Sequence, residues 1–160
     1  MWYNPLEIQA PDIVDAVASL CRDSERYEFT NMLGWHEITR DNWAEAFKFF
    51  DTDMNNDGIP DHIQGLNRGI NPETGDPWNL MSGVPPFSYD EAQERLTTLT
   101  TMWTRDQYQR ERTIAYASLD KQLAALFDDI KDGKFGDAAK TGRFFYLNQQ
   151  VKNQIPKPAE

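Results

Sequence analysis

The sequence predicts a mainly α-helical protein with about five helices, one acidic loop and a long irregular central loop. Apolar residues recur at helical spacing in several segments, and capping residues precede some of these segments. No segment alternates apolar and polar residues convincingly enough to predict a strand. Residues 65–87 are rich in glycine and proline and have no sustained period, so they predict the central loop.

The first helix is predicted to begin at Pro11, because proline suits the first position of a helix. Its apolar stripe consists of Ile13, Val14, Val17, Leu20 and Cys21. Residues 1–10 are predicted to be irregular, with Trp2 and Tyr3 as anchors onto another surface. Thr39 is predicted to cap a second helix. The apolar face of that helix consists of Trp43, Ala46, Phe47 and Phe50.

Three helices are predicted in the C-terminal half. Ser88 and Glu91 form a capping box for a helix that runs to about Arg112. Its inward residues are Leu96, Leu99, Met102 and Trp103. Ser118 is predicted to cap a helix that ends near Gly133. That helix carries Leu119, Leu123, Leu126, Phe127 and Ile130. The last helix ends before Pro156 and carries Phe144, Leu147 and Val151.

Length and charge exclude several classes of protein. The 160 residues fit one domain, with sub-regions at 1–64, 65–87 and 88–160. The 26 acidic and 16 basic residues give a formal charge of −10, which argues against a general nucleic-acid binder. The single cysteine, Cys21, allows no intrachain disulfide. The sequence shows neither a secretory signal nor an apolar run long enough to cross a membrane.

The acidic stretch from Asp51 to Asp61 has the spacing of a calcium loop. Hard cations such as Ca²⁺ require six to eight oxygen ligands, which alternate residues of one loop can supply. With Asp53 at position one, Gly58 occupies position six, where the chain must turn sharply. The predicted ligands are Asp53, Asn55, Asp57, the carbonyl of Ile59, and Asp61. We expect the bound Ca²⁺ to be structural.

This stretch resembles an EF-hand and the related loops of thrombospondin type-3 and dockerin repeats. The segment 45–51 resembles the entering helix of an EF-hand. A second register begins at Asp51, but Asn56 must then make the turn, so the steric requirement for glycine favours the first. Position twelve holds Gln64 in the first register and His62 in the second, where the family has a bidentate Glu. This departure argues against a calcium sensor, and the alternative is a solvated acidic turn without an ion.

Catalytic patterns are weak, and the sequence predicts no enzyme. His36 and Glu37 are adjacent, but no second histidine follows at the spacing of a zinc protease, so His36 is interpreted as a surface or interface residue. No spacing singles out two carboxylates for glycoside hydrolysis. The cluster of Asp128, Asp129 and Asp132 is interpreted as a solvated helix face.

Residues 110–158 carry a second pattern. It comprises Arg112, the run 116–123, the run 126–130, Gly133, Val151-Lys152 and Pro156-Lys157-Pro158. The pattern resembles the C-terminal module of small tailed-bacteriophage proteins, often encoded among tail-fibre and baseplate genes. The chain departs from the family pattern at Ala117, Lys121 and Phe127. The resemblance implies a virion or tail-associated protein and no catalytic residues.

The leading hypothesis is a structural protein of a tailed-phage tail, baseplate or fibre-attachment region. Such a protein is made in the bacterial host cytoplasm and joins other virion proteins and copies of itself. The 65–87 loop is predicted to contact another chain through Leu66, Ile70, Trp78, Leu80, Met81, Val84 and Phe87. The alternative is a soluble EF-hand-type calcium-binding adaptor or regulatory protein. An enzyme of the phage particle, such as a wall hydrolase, is a third hypothesis.

Overall fold

The computed structural model describes residues 9–66 and 69–158. The predictions for Trp2 and Tyr3 lie outside these residues. The described ranges contain six α-helices, two short 3-10 helices and one two-stranded sheet. The mainly α-helical class is therefore confirmed, and the expectation that no strand forms is wrong.

The chain divides into two compact units. Among the described residues, the N-terminal unit comprises residues up to 101 and the C-terminal unit comprises residues 102–158. The boundary lies within the predicted sub-region 88–160.

The N-terminal unit begins with helix α1, Ile13–Ser24. Asp12 caps this helix, and its Oδ1 accepts the N–H of Val14 at 2.8 Å. Strand β1, Tyr27–Asn31, pairs antiparallel with strand β2, Phe47–Asp51. Between them lie the 3-10 helix Trp35–Glu37 and the one-turn helix α2, Trp43–Ala46. Helix α3, Tyr89–Arg105, begins at the predicted capping box, in which the N–H of Glu91 donates to Ser88 Oγ.

The second predicted helix is wrong beyond Ala46, because residues 47–51 form strand β2. Phe47 and Phe49 are both buried, whereas Lys48 between them is exposed. Alternate residues of a strand face the same side, so the two rings reach the core together. Aromatic residues also favour strands once a partner strand is present to pack beside them. The strand replaces the helix that was expected to enter the acidic loop.

The core of the N-terminal unit is built from α1, α2, β2 and α3. It consists of Ile13, Val17, Cys21, Ile38, Trp43, Ala46, Phe47, Phe49 and Ala92. The Trp43 ring lies edge-on to Phe47 and Tyr89, with centroids 5.1 and 5.5 Å away. The Trp43 indole N–H donates to the Phe87 carbonyl at 2.8 Å, so its polar atom is satisfied. Burial raises the pKa of the Cys21 thiol to about 12, so this cysteine acts as a small apolar residue.

Part of the central loop packs against the core of the N-terminal unit. The N–H of Met81 donates to the Phe49 carbonyl at 2.9 Å, and Met81 and Phe87 pack against the core. Other apolar residues of the same loop are exposed, including Trp78 at 46% and Val84 at 87%. The loop is thus divided between residues that complete the core and residues on the surface.

The C-terminal unit contains the end of α3 and three further helices. These are α4, Gln107–Ala115, α5, Leu119–Lys131, and α6, Arg143–Gln154. A 3-10 helix, Gly136–Thr141, precedes α6. The single helix predicted from Ser88 to about Arg112 is interrupted at Asp106, whose φ of −92° and ψ of 10° leave the helical range. Both carboxylate oxygens of this buried aspartate accept from Arg105 at 3.0 Å.

The interpretation of the aspartate cluster as a solvated helix face is wrong for Asp129, whereas Asp128 and Asp132 are exposed. Asp129 is 5% exposed, and its carboxylate accepts the backbone N–H groups of Arg143 at 2.9 Å and Phe144 at 2.8 Å. These are two of the unpaired N–H groups at the start of α6. Gly142 has no side chain to cap them, so Asp129 caps α6 from the last turn of α5. The bond from Phe144 is the leading cause that lowers the pKa of Asp129.

Candidate functional site

The acidic loop leaves strand β2 at Asp51, and this first aspartate is bound to an arginine. Arg26 donates from Nε to Asp51 Oδ1 at 3.0 Å and from Nη2 to Oδ2 at 2.8 Å. Arg26 Nη1 also donates to the side-chain oxygen of Asn56 at 2.6 Å. The guanidinium thus joins the start of β1 to both the end of β2 and the loop. Asp51 is paired within the protein rather than directed at a ligand position.

Asp53 organises the turn of the loop from a buried position. It is 7% exposed, and its two carboxylate oxygens accept the N–H groups of Asp57 at 3.1 Å and Gly58 at 2.9 Å. Gly58 has a φ of +83°, which glycine adopts at little cost. Asn56 has a φ of +59°, so both residues considered for the turn are left-handed. The chain therefore wraps around the Asp53 carboxylate.

Side-chain amides converge on Asp57 at the mouth of the loop. Gln64 Nε2 donates to Asp57 Oδ2 at 2.6 Å and to the Ile59 carbonyl at 3.4 Å. Asn55 Nδ2 donates to the same Asp57 oxygen at 3.0 Å. The bond from Gln64, followed by that from the Ile59 N–H, lowers the pKa of Asp57. Neutral amide donors therefore contact two oxygens that the sequence assigns to Ca²⁺.

The predicted ligands share the loop, but their carboxylates do not converge. Asp61 is 8% exposed, and its Oδ2 accepts the N–H of Met54 at 3.3 Å. The described ranges contain no group of three or more His, Cys, Asp or Glu side chains that could hold a metal ion. All the predicted donors are oxygens, which is the chemistry that Ca²⁺ prefers. Binding would require the Gln64 N–H group to leave Asp57 and present the side-chain oxygen instead.

A cavity of about 530 Å³ lies beside the loop in the N-terminal unit. Its lining includes the carboxyl-bearing residues Glu28, Asp51 and Asp61, together with His62 and Asn79. Sequence reasoning did not identify Glu28, because this residue is on β1, far from the acidic loop in the chain. The cavity suits a small group that donates hydrogen bonds.

The C-terminal unit presents a row of apolar side chains along α5. They are Leu119, Leu123, Leu126, Phe127 and Ile130, and all are exposed. We call this set the α5 face. Leu119 is 71% exposed and Phe127 is 67% exposed. Further exposed apolar residues of the unit are Ile114, Phe135, Phe145 and Tyr146.

Helix α5 packs within its unit through a different side. Ala125 and Asp129 are its buried residues, and α5 contacts α6. The described part of this unit buries only two apolar residues, Ala125 and Val151, but three charged ones, Asp106, Arg110 and Asp129. The Arg110 guanidinium lies 3.9 Å from the Trp103 ring centroid. The fully buried contacts of the unit are therefore mainly caps and charged contacts, whereas the apolar side chains of the α5 face are exposed.

Residues of the C-terminal pattern have structural roles. Arg112 Nε donates to the Ile155 carbonyl at 2.8 Å, which links α4 to the end of α6 beside Pro156. Gln122 Nε2 donates to the Ala117 carbonyl at 2.7 Å, which fixes the start of α5. Gly133 follows α5 with a φ of +71°, as a helix stop requires. Each of these three residues therefore stabilises a helix end or a contact between helices of the C-terminal unit.

Comparison of the chain with protein-family models gives no match, and no curated protein or solved structure is significantly similar to it. Among the helices of the described ranges, none combines the length and apolar character needed to span a membrane.

Proposed function

We propose that this chain is a structural protein that assembles with other protein chains through the α5 face. The observation that carries the proposal is the exposed row of leucine, isoleucine and phenylalanine side chains along α5. Monomeric proteins rarely expose large contiguous apolar patches, and such patches mark sites of association. Covering them releases about 25 cal/mol per Å² of apolar surface.

The setting that we propose is a tailed-bacteriophage particle, in its tail, baseplate or fibre-attachment region. Support comes from the resemblance of residues 110–158 to the C-terminal module of small phage proteins. The structure adds that this same segment carries the α5 face. Other virion proteins and copies of the chain are the proposed partners. The exposed Trp78 and Val84 of the central loop offer a second, smaller contact.

The test is incorporation into particles when a tagged chain is supplied during phage growth. Phe127→Ser removes the largest side chain of the α5 face, and we expect it to lower the amount of chain in gradient-purified particles at least tenfold. Ile63→Ser is the matched control, because Ile63 is 67% exposed, as Phe127 is, and lies in the N-terminal unit outside the proposed contacts. Normal incorporation of Phe127→Ser, or absence of the wild-type chain from particles, would contradict the proposal.

A second candidate function is calcium binding by the acidic loop, as the alternative adaptor hypothesis requires. The observation that favours it is the wrapping of residues 57 and 58 around the buried Asp53 carboxylate. Asp51 is engaged by Arg26, which supports the register that begins at Asp53. The neutral Gln64 at position twelve supports a weak site, with a dissociation constant of roughly 10⁻⁴–10⁻³ M.

Calorimetric titration with Ca²⁺ tests this second function. We expect Asp53→Asn to abolish the binding heat and Gln64→Glu to tighten binding at least tenfold, because the new carboxylate supplies two charged ligands. Asp41→Asn, at an exposed aspartate of the same unit, should leave the titration unchanged. The absence of binding heat in both the wild type and Gln64→Glu would exclude the calcium site.

A further inference from the structure

The α5 face has a charged border on one side. A helix turns about 100° per residue, so residues seven and eleven positions apart return to nearly the same side. Asp120, Phe127 and Lys131 have these spacings, and all three are exposed. An acidic residue therefore borders the first turn of the face, and a basic residue borders its last turn. Lys121 and Asp128 are also exposed, but they lie on the opposite side of the helix.

This border is self-complementary when two copies of α5 run antiparallel. The midpoint between Asp120 and Lys131 lies between residues 125 and 126, about one residue from the middle of the apolar row. A two-fold axis at this midpoint brings Asp120 of each copy opposite Lys131 of the other. The same rotation brings Leu123, Leu126 and Phe127 of the two copies together. A parallel two-fold pairing instead places the charged borders of the two copies on opposite flanks of the helix pair, so that neither Asp120 meets a Lys131.

We propose that the occupant of the α5 face is a second copy of this chain, packed antiparallel about a two-fold axis near residues 125–126. The inference rests on the proposed assembly function and specifies its first step. The interface is isologous, so each favourable contact occurs twice. The leucine and phenylalanine rows supply the association energy, and the two Asp120–Lys131 pairs select the direction.

Sedimentation of the full chain measures the dimerisation constant. Phe127→Ser should weaken dimerisation about a hundredfold, because each dimer loses the two largest apolar side chains of its interface. Asp120→Lys and Lys131→Asp should each weaken it about three- to tenfold, since two weak attractions become repulsions. The combined variant Asp120→Lys/Lys131→Asp restores opposite charges and should recover the wild-type constant. Lys121→Asp/Asp128→Lys is the matched control and should leave the constant unchanged.

Cysteine cross-linking tests the direction of the helices. A mixture of Asp120→Cys and Lys131→Cys chains should form a disulfide between the two variants, while Asp120→Cys alone should not. Cross-linking of Asp120→Cys with itself, or failure of the double charge variant to recover, would overturn the antiparallel pairing. A monomeric wild type whose Phe127→Ser variant is still lost from particles would overturn the dimer but keep the assembly function. A monomer with normal incorporation of that variant would contradict both.

Discussion

The two units of this chain place their apolar residues in opposite ways. The N-terminal unit encloses Trp43, Phe47 and Phe49 with α1 and α3, whereas α5 of the C-terminal unit exposes Leu119 and Phe127. Both units contain amphipathic helices, so the pattern of apolar residues alone does not distinguish them. The difference is what each helix packs against within its unit. An apolar stripe shows that a surface is to be covered, and only the tertiary structure shows whether the chain covers it.

The largest expected effect tests this contrast with one substitution in each unit. Phe47→Ala removes a buried ring that contacts Phe29, Trp43 and Phe49, and should destabilise the chain by roughly 3–5 kcal/mol. Phe127→Ala removes an exposed ring and should change the stability of the monomer by less than about 0.5 kcal/mol. Urea unfolding of dilute protein, followed by circular dichroism, measures both. Equal losses would mean that Phe127 belongs to a core.

A smaller effect is expected where the C-terminal unit depends on close packing. A Cβ at Gly142 would lie 2.5 Å from Asp129 Oδ2 and 3.0 Å from the Ala139 carbonyl oxygen. Gly142→Ala should therefore displace the cap of α6, at a cost of about 1–3 kcal/mol. Hydrogen exchange should speed up at the amides of Arg143 and Phe144 and remain unchanged in β1 and β2. Lys140→Ala, at an exposed position two residues earlier, is the control and should leave these exchange rates unchanged.

The smallest expected effect is a dependence on pH of the start of α6, which tests whether the C-terminal unit relies on a charged cap. Backbone N–H groups of α6 lower the pKa of Asp129, so folding is favoured by ionisation of this carboxylate. Its contribution is complete above the unfolded pKa, near 3.8, and is lost as the pH falls through the lower folded value. The protection factors of the amides of residues 143 and 144, which correct for the slower intrinsic exchange in acid, should therefore decrease as the pH falls below the unfolded pKa. Asp129→Asn should show the lower protection already at neutral pH and lose most of its pH dependence.

The sequence predicted the elements whose signals are local. Ser88 marks a helix start, and Gly133 and Pro156 follow helix ends, within a few residues of the groups they affect. Helix α1 begins at Ile13 after its cap Asp12, two residues beyond the predicted start at Pro11. The hairpin was missed because the strand character of residues 47–51 depends on β1, about twenty residues earlier. Propensity and period cannot report a partner that distant in the chain.

In the candidate sites too, the sequence predicted features with local signals and missed contacts between distant residues. Alternate aspartates and Gly58 predicted a turn around Asp53, and the structure contains that turn. Calcium binding stays a prediction, because it depends on whether Gln64 releases Asp57. The sequence did not predict that Asp129 caps α6, because this contact depends on how closely α5 approaches the backbone at Gly142. One signal was available, since α6 begins after a glycine that has no capping side chain.

The position of Asp129 also implies an order of events as the chain folds. The carboxylate that caps α6 belongs to the last turn of α5, about fourteen residues earlier. The first turn of a helix is costly to nucleate, and α6 receives help with this only after α5 has brought Asp129 into place. Formation therefore proceeds in the direction of synthesis, from α5 to α6. The apolar row of α5 is then in place before α6 forms.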